Sequence, residues 1–262
     1  MATTTRSRAR RQPVQPQMDA TSDVIAEIAR RYAKRALCIF AHPDDLEFTS
    51  GGTVSKLCAE GWDVSIVVTT SGNKGTKDPA VTGQALAGER EEEARNAARV
   101  MGAREPIFLG FHDGGTTNDD ELRALIVRHI RRLRPELVIT WDGFRVGFNH
   151  RDHRVAGQAT HDAIYPSADD HLYFPEHKED GLEPFRPVAM LLAGSTAPDY
   201  HVDISKHFRT KIRAVLAHTS QMRGRGEAEM VQMYREREKQ ARQERPDLPP
   251  MRESFTRVVW GR

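Results

Sequence analysis

Two short polar clusters in this 262-residue sequence combine imidazole and carboxylate groups at spacings that suit a metal site. In the first, His42-Pro43-Asp44-Asp45, a histidine and a carboxylate lie three residues apart on a turn that Pro43 stiffens by fixing its own φ angle. With His42 and Asp45 as ligands of one divalent cation, Asp44 remains close by and free to accept a proton from water. The other interpretation is that Asp44 or Asp45 caps a helix that begins nearby.

The second cluster, His150-Arg151-Asp152-His153, supplies further imidazole and carboxylate groups. Two histidines in a polar stretch are, by themselves, more often surface groups. Together with the first cluster, however, one ligand from this segment completes a set of two histidines and one carboxylate. That set suits zinc and also non-haem ferrous iron, with positions left open for water and substrate.

Short apolar runs precede these clusters and alternate with helical patterns. The runs at 36–40, 64–70, 106–109 and 137–141 predict strands, and amphipathic segments between them predict helices. This alternation predicts an α/β domain of Rossmann-like type, with a mostly parallel sheet and helices on both faces. Because such sheets bind ligands beyond the carboxyl ends of their strands, the metal site is predicted at that edge.

The ends of the chain differ from this central part. Residues 1–22 are basic and lack apolar periodicity, which predicts a disordered tail. The alternating pattern begins after this tail and weakens beyond residue 155. Residues 222–262 are highly charged and predict a C-terminal helical extension.

Bulk properties exclude several classes of function. The formal net charge is only +2, and the basic residues are spread out, so no nucleic-acid partner is predicted. No apolar run follows the basic stretch Arg6–Arg11, and no window suits a membrane span. Cys38 and Cys58 fit reduced thiols of a cytoplasmic protein. A nucleotide-binding domain fits the order of elements, but the first predicted strand is not followed by Gly-x-Gly-x-x-Gly.

The motifs resemble those of the PIG-L or LmbE-like de-N-acetylases. The leading motif of that family, Ala-His-Pro-Asp-Asp-Glu, matches the segment 41–45, with the glutamate displaced by one position to Glu47. The second motif, His-Pro-Asp-His, matches the segment 150–153, with Arg151 in place of proline. Weaker matches are Thr70-Ser71-Gly72-Asn73, the helix around Arg90, Glu93 and Ala94, and a late block with Asp203, Lys211, Ala214 and His218-Thr219-Ser220-Gln221. The resemblance spans about 37–221, so it implies an LmbE-like deacetylase domain over 23–221.

The resemblance implies three zinc ligands, namely His42, Asp45 and His153. It also implies that Asp44 is the general base, which takes up a proton as water attacks the amide carbon. By the same match, His150 stabilises the oxyanion or protonates the leaving amine, and Asp152 orients His150. Ferrous iron suits the same ligands. Some members of the family carry a tyrosine before the second motif. The nearby positions here are Phe148 and Asn149, so that role is vacant or belongs to Asn149, Arg145 or a group from elsewhere.

The reaction that the resemblance implies is hydrolysis of an N-acyl group, acetyl by the family's pattern, on an amino sugar or glycoconjugate. Two alternatives stay open: an amidase that acts on a thiol conjugate or natural product, and a sugar-binding protein without activity on the same scaffold. The resemblance also makes a homo-oligomer, a trimer or hexamer, plausible. Specificity is expected in the loops at 144–149 and 165–187.

Three further residues are candidates for substrate binding, namely Asn73, Arg90 and His218. Arg90 can clamp a sugar hydroxyl or phosphate, or make a surface ion pair. Asn73 can line the pocket or turn the chain, and His218 is expected close behind the pocket. Asp113 precedes Gly114-Gly115, and this pattern favours a turn over a catalytic role.

Overall fold

Seven strands form one sheet that carries helices on both faces in the computed structural model, which describes residues 23–147 and 150–260. The strands are β1 (Arg35–Phe40), β2 (Asp63–Thr70), β3 (Ile107–Phe111), β4 (Leu137–Trp141), β5 (Ala189–Ala193), β6 (Tyr200–Asp203) and β7 (Arg252–Val259). The helices are α1 (Val24–Arg31), α2 (Asp45–Ala59), α3 (Gly83–Met101), α4 (Asp120–Leu133), α5 (Arg151–Asp162), α6 (Phe208–Leu216), α7 (Thr219–Met222) and α8 (Glu227–Glu244). Across the described ranges, no helix combines the length and apolar composition that a membrane crossing needs.

The strand order is β3-β2-β1-β4-β5-β7-β6. The first five strands are parallel, whereas β7 runs antiparallel to both β5 and β6. The prediction of a mostly parallel sheet with helices on both faces is confirmed. The chain starts at β1, proceeds outward to β3 and returns to β4 on the other side of β1. A topological switch point therefore lies between β1 and β4, which is where open α/β sheets form a ligand crevice.

Alternation along β1 shows why this sheet is covered on both faces. Ala36, Cys38 and Phe40 belong to one apolar core, whereas Leu37 and Ile39 belong to the other. Successive side chains of a strand point to opposite faces, so a strand buried on both sides is apolar throughout. The prediction of a buried strand here is confirmed, and Cys38 is one of its core residues.

Helix α2 begins at Asp45, the last residue of the first cluster. Asp44 occupies the cap position with a left-handed φ of 105°, and its side chain makes no capping hydrogen bond. The capping interpretation of this cluster is therefore wrong. Gly52, inside α2, lets the helix pack closely against Ile204, because a Cβ atom at Gly52 would lie 2.6 Å from that side chain.

The C-terminal segment is helical only in part, which corrects the predicted helical extension over 222–262. After α8, the chain returns as β7 and inserts between β5 and β6. Glu253 of β7 accepts hydrogen bonds from the backbone N–H groups of Gly52 and Thr53, at 2.9 and 2.7 Å. It also pairs with Lys211, whose Nζ donates to the Phe48 carbonyl over 2.8 Å. The last strand thus belongs to the central sheet, and its Glu253 side chain holds α2 in place through these hydrogen bonds.

The crossover between α5 and β5 lies at the amino-terminal edge of the sheet, opposite the predicted site. The backbone N–H groups of Val188 and Ala189, at the start of β5, donate to the carbonyl of Glu136, which precedes β4. Arg131, in the last turn of α4, binds carbonyls of this crossover. Most of the predicted specificity loop at 165–187 is therefore remote from the carboxyl edge. The predicted tail over 1–22 lies outside the described residues.

Candidate active site

Both polar clusters meet at the switch point, because they follow the adjacent strands β1 and β4. They face a cavity of about 400 Å³. The described residues that line it are His42, Asp44, Asp45, Lys74, Gly75, Arg90, Asp113, Gly114, His150 and His153. A groove of about 730 Å³ along α8 is larger, but the described residues that line it include no histidine. The convergence of side chains, and not the volume, therefore identifies the candidate site.

Potential ligand atoms of His42, Asp45 and His153 converge at the cavity. His42 Nδ1 lies 3.2 Å from His153 Nε2, which lies 3.1 Å from Asp45 Oδ1. His42 Nδ1 and Asp45 Oδ2 are 3.5 Å apart. Ligands held at about 2.0–2.2 Å from a tetrahedral zinc ion are roughly 3.3–3.6 Å from one another. The distances from His153 Nε2 to His42 Nδ1 and to Asp45 Oδ1 are close to this range, so these side chains fit a small divalent cation.

Asp45 presents one oxygen to this group because its other oxygen is already bonded. Oδ2 accepts from the backbone N–H groups of Ala41 and His42, at 3.1 and 2.9 Å, and from Nε1 of Trp141 at 2.9 Å. Burial alone would raise the pKa of Asp45, but hydrogen bonds with His153 and His42 outweigh it and hold that pKa far below its usual value. Asp45 is thus an ionised carboxylate whose Oδ1 lies beside His153 Nε2.

The second nitrogen of His42 points away from the ligand group, toward two carboxylates. Nε2 lies 3.2 Å from Asp113 Oδ1 and 3.4 Å from Asp152 Oδ2. Burial would lower the pKa of His42, but hydrogen bonds with Asp113, Asp152 and Asp45 outweigh it and raise that pKa to about 12. The same negative field would attract a cation to this edge.

His42, Asp113 and Asp152 also form a compact group that could hold an ion. Their carboxylates are, however, engaged by the surrounding loops. Asp152 accepts from Gly114 N–H at 2.5 Å and from Thr116 Oγ1 at 2.6 Å, and Asp113 Oδ2 accepts from Lys74 N–H at 3.1 Å. Asp113 and Asp152 therefore suit a hydrogen-bonding role toward Nε2, while Nδ1 is the nitrogen beside His153 and Asp45.

The sequence pattern favours a turn at Asp113, and the structure shows that Asp113 also contacts the site. The turn exists, since Gly115 N–H donates to the His112 carbonyl at 2.9 Å. Asp113 is nevertheless buried and contacts His42. One signal could have revealed it: Asp113 directly follows the third strand, at the same edge as the other clusters.

Asp44 lies at the cavity beside Arg90. The Arg90 guanidinium is 3.2 Å from Asp44 Oδ1 and donates to the carbonyls of Gly72, at 2.9 Å, and Pro43. Burial raises the pKa of Asp44 to about 7, although the charge of Arg90 opposes this. Arg90 is therefore not a surface ion pair, because it is buried and its terminal nitrogens hold the turn that carries Asp44. Its role in substrate binding stays a prediction.

His150 and Asp152 differ in detail from the predicted pair. The backbone N–H of Asp152 donates to His150 Nδ1 over 3.2 Å, whereas the Asp152 carboxylate contacts Gly114, Thr116 and His42. His150 is thus oriented by the main chain of Asp152 and not by its carboxylate. Its ring makes an edge contact with His42, with centroids 4.8 Å apart.

The remaining candidates lie at the margin of the site or behind it. Asn73 is not among the described residues that line the cavity, and it lies beside Gly83 at the start of α3. His218 is fully buried, with Nε2 3.3 Å from Glu47 Oε2, so it supports α2 and does not face the cavity. Arg145 Nη1 donates to the Gly194 carbonyl over 3.2 Å. Asn149 lies outside the described residues.

Comparisons with known proteins agree with this geometry. The sequence pattern of the PIG-L family, GlcNAc-PI de-N-acetylase, matches residues 37–164. A diacetylchitobiose deacetylase of Thermococcus kodakarensis is 36% identical over 192 residues, which are 72% of this chain and 70% of the relative. A 1D-myo-inositol 2-acetamido-2-deoxy-alpha-D-glucopyranoside deacetylase of Actinosynnema mirum is 29% identical, over 72% of this chain and 81% of that protein.

A solved structure shares the arrangement of strands and helices. The N,N'-diacetylchitobiose deacetylase from Pyrococcus horikoshii superposes with a TM-score of 0.79 at 26% sequence identity. The match covers 90% of this chain and 87% of that chain. It therefore extends well beyond the segment that carries the two motifs.

Proposed function

This chain belongs to the PIG-L family of de-N-acetylases, and on that premise we propose that it removes an N-acetyl group from an amino sugar or glycoconjugate with the help of a bound divalent cation. The observation that carries this proposal is the convergence of His42 Nδ1, His153 Nε2 and the Asp45 carboxylate beside Asp44. Two histidines and one carboxylate with open positions are a ligand set for zinc or ferrous iron.

In this proposal, the cation would be held by His42, Asp45 and His153. When bound, a divalent cation supplies Lewis acidity, which activates water and polarises an amide carbonyl. Asp113 supports the arrangement, since a hydrogen bond from His42 Nε2–H leaves the Nδ1 lone pair free for the cation.

Asp44 is the proposed general base. It lines the cavity next to Asp45, and Arg90 together with the left-handed backbone at Asp44 holds its carboxylate there. Asp44 takes a proton from the water whose oxygen attacks the amide carbon. When the carbon–nitrogen bond breaks, the same carboxyl returns the proton to the leaving nitrogen. The products are a free amine and acetate.

His150 is the proposed partner of the carbonyl oxygen. Because its Nδ1 accepts from the backbone N–H of Asp152, its neutral ring carries the proton on Nε2. Nε2–H can then donate to the oxygen on which negative charge develops during attack. This assignment provides a hydrogen-bond donor in a chain that has no tyrosine just before the second motif.

The lining of the cavity supports a small, polar substrate. Each described residue that lines it is charged, an imidazole or a glycine. A long acyl chain would require apolar surface, whereas sugar hydroxyls pair well with carboxylate, ammonium and guanidinium groups. Both relatives described above act, by their names, on acetylated amino sugars, which supports the same substrate class.

Amine release from a panel of acetylated amino sugars tests the proposal. The panel holds N-acetylglucosamine, N,N'-diacetylchitobiose and an N-acetylglucosaminyl inositol, each assayed with zinc, with ferrous iron and after chelation. We expect release that is lost on chelation and restored when metal is added back. Release that persists after complete removal of metal would contradict the role of the cation. Absence of release from the whole panel, by protein with metal bound, would contradict the substrate class.

A further inference from the structure

Trp141, the last residue of β4, contacts two of the three proposed ligands. Its indole ring stacks on the His153 imidazole, with centroids 4.1 Å apart and planes inclined by 10°. Its Nε1–H donates to Asp45 Oδ2 over 2.9 Å. We propose that Trp141 is a positioning residue of the metal site, which selects the coordinating oxygen of Asp45 and holds the His153 ring. This inference rests on the proposed function, because it takes both residues as ligands.

The contact with Asp45 determines which oxygen faces the cavity. Oδ2 already accepts from the backbone N–H groups of Ala41 and His42, and the indole N–H is the third donor. Oδ1 is left at 3.1 Å from His153 Nε2. Of these three donors, only the indole N–H of Trp141 belongs to a side chain. It is therefore the one that a substitution can remove.

The contact with His153 restricts the rotation of a ring that would otherwise turn easily. His153 is only partly buried in the first turn of α5, and the torsion next to an imidazole ring has broad preferences. An indole stacked on one face of the ring resists rotation about that torsion. The Nε2 atom of His153 therefore stays directed at His42 and Asp45.

Trp141 is itself held by the two neighbouring strands. On the β1 side, its ring meets Phe40 edge-on, with centroids 5.8 Å apart. On the β5 side, Gly194 makes room for it: a Cβ atom at Gly194 would lie 2.7 Å from the indole, and its backbone has a left-handed φ of 73°. The indole is thus fixed by β1, β4 and the end of β5.

Two substitutions separate the contacts. Trp141→Phe keeps an aromatic ring beside His153 but removes the donor to Asp45, whereas Trp141→Leu removes both contacts. Trp62→Phe is the matched control, because Trp62 is buried in the core near the start of β2. Zinc affinity is measured by competition with a chromophoric chelator. We expect a loss of about tenfold for Trp141→Phe, a larger loss for Trp141→Leu, and no change for Trp62→Phe.

A spectroscopic measurement gives a second, independent readout. Cobalt(II) bound beside Trp141 should quench part of the fluorescence of the protein, which contains three tryptophans. The quenching should persist in Trp62→Phe and disappear in Trp141→Phe. This measurement uses wild type, Trp62→Phe and Trp141→Phe, so it holds even where Trp141→Leu does not fold.

The outcomes distinguish this inference from the function on which it rests. Wild-type protein that binds neither zinc nor cobalt would overturn both. If the wild-type protein binds zinc and both Trp141 variants bind it with the wild-type affinity, the role of Trp141 alone would be overturned. An equal loss of affinity in Trp62→Phe would also overturn it, since the effect would then be one of general stability.

Discussion

Buried charged groups lie at both edges of the central sheet, and the two sets differ in what their polar atoms contact. At the amino-terminal edge, Arg131 is almost fully buried, and its guanidinium donates to backbone carbonyl groups of the crossover. These carbonyls belong to Ser167, Ala168, Asp170, Tyr173 and Phe174. At the carboxyl edge, the side chains of His42, Asp45 and His153 contact one another around a cavity.

The difference shows that burial of charge does not by itself indicate a functional site. The N–H groups of Arg131 donate to carbonyls of one stretch of main chain. This residue therefore organises the crossover, and its N–H groups are not available to a ligand. His42, in the turn after β1, and His153, in the first turn of α5, instead direct nitrogen atoms at each other, an arrangement that a shared cation would stabilise. At the carboxyl edge the side chains thus converge on a cavity, whereas at the amino-terminal edge the side chain of Arg131 fixes the main chain of the crossover.

Replacing the proposed base should have the largest effect at the carboxyl edge. Asp44→Asn keeps the shape of the side chain but cannot accept a proton, so the hydrolysis rate should fall by about 10²–10⁴-fold. Zinc affinity should stay close to that of the wild type. Steady-state kinetics and metal analysis check both points, with Asp78→Asn in an exposed loop as the control. Hydrolysis at the wild-type rate would exclude Asp44 as the base.

A matching change at the amino-terminal edge should affect stability alone. Arg131→Gln leaves several buried carbonyl groups without a donor, which should lower the free energy of unfolding by about 3 kcal/mol. The neighbouring exposed Arg132→Gln should change it by less than about 0.5 kcal/mol. Urea denaturation and zinc titration are the measurements. A large loss of zinc affinity in folded Arg131→Gln would show that the two edges are coupled and that Arg131 does not affect stability alone.

Acid should destabilise the protein partly through His129, which lies in α4 near Arg131. Burial, aided by the charges of Arg132 and Arg128, lowers the pKa of His129 to about 4. The unfolded chain therefore takes up this proton first, near pH 6.5, and stability is lost as the pH falls from there toward 4.

The variant His129→Gln isolates this contribution. The difference in unfolding free energy between wild type and variant should shift by about 2 kcal/mol from pH 7.5 to pH 5, in favour of the variant. Denaturation of metal-free protein at both pH values measures it, and the exposed His171→Gln provides the control. The same pH dependence in wild type and His129→Gln would show that this histidine is not the responsible group.

Removing the charge of Asp113 should have the smallest of these effects. Asp113→Asn weakens the hydrogen bond that orients His42, so zinc affinity should fall about tenfold, which is about 1.4 kcal/mol. Asp119→Asn is the control, because asparagine caps α4 as well as aspartate does. Competition titration measures both variants. An unchanged affinity for Asp113→Asn would show that the backbone alone orients His42.

The predicted arrangement of the sheet proved accurate where local pattern and chain order were sufficient. The run at 36–40 reads as a buried strand, and the inner side of α3, with Ala94, Ala97, Ala98 and Met101, follows helical spacing. Because parallel strands end at one edge, the clusters at 42–45 and 150–153 were expected to meet, and their side chains do converge. The cytoplasmic location and the homo-oligomer stay predictions.

The amino-acid sequence alone thus determined the fold class and the edge at which the two clusters lie, because periodicity and strand alternation are local properties of the chain. Only the tertiary structure decided that Asp113 and Trp141 contact the ligand group, that β7 joins the sheet and that the crossover at 163–187 lies at the opposite edge. Those features depend on strand order and register. Contacts between residues a hundred positions apart leave no period in the sequence, so folding alone brings them together.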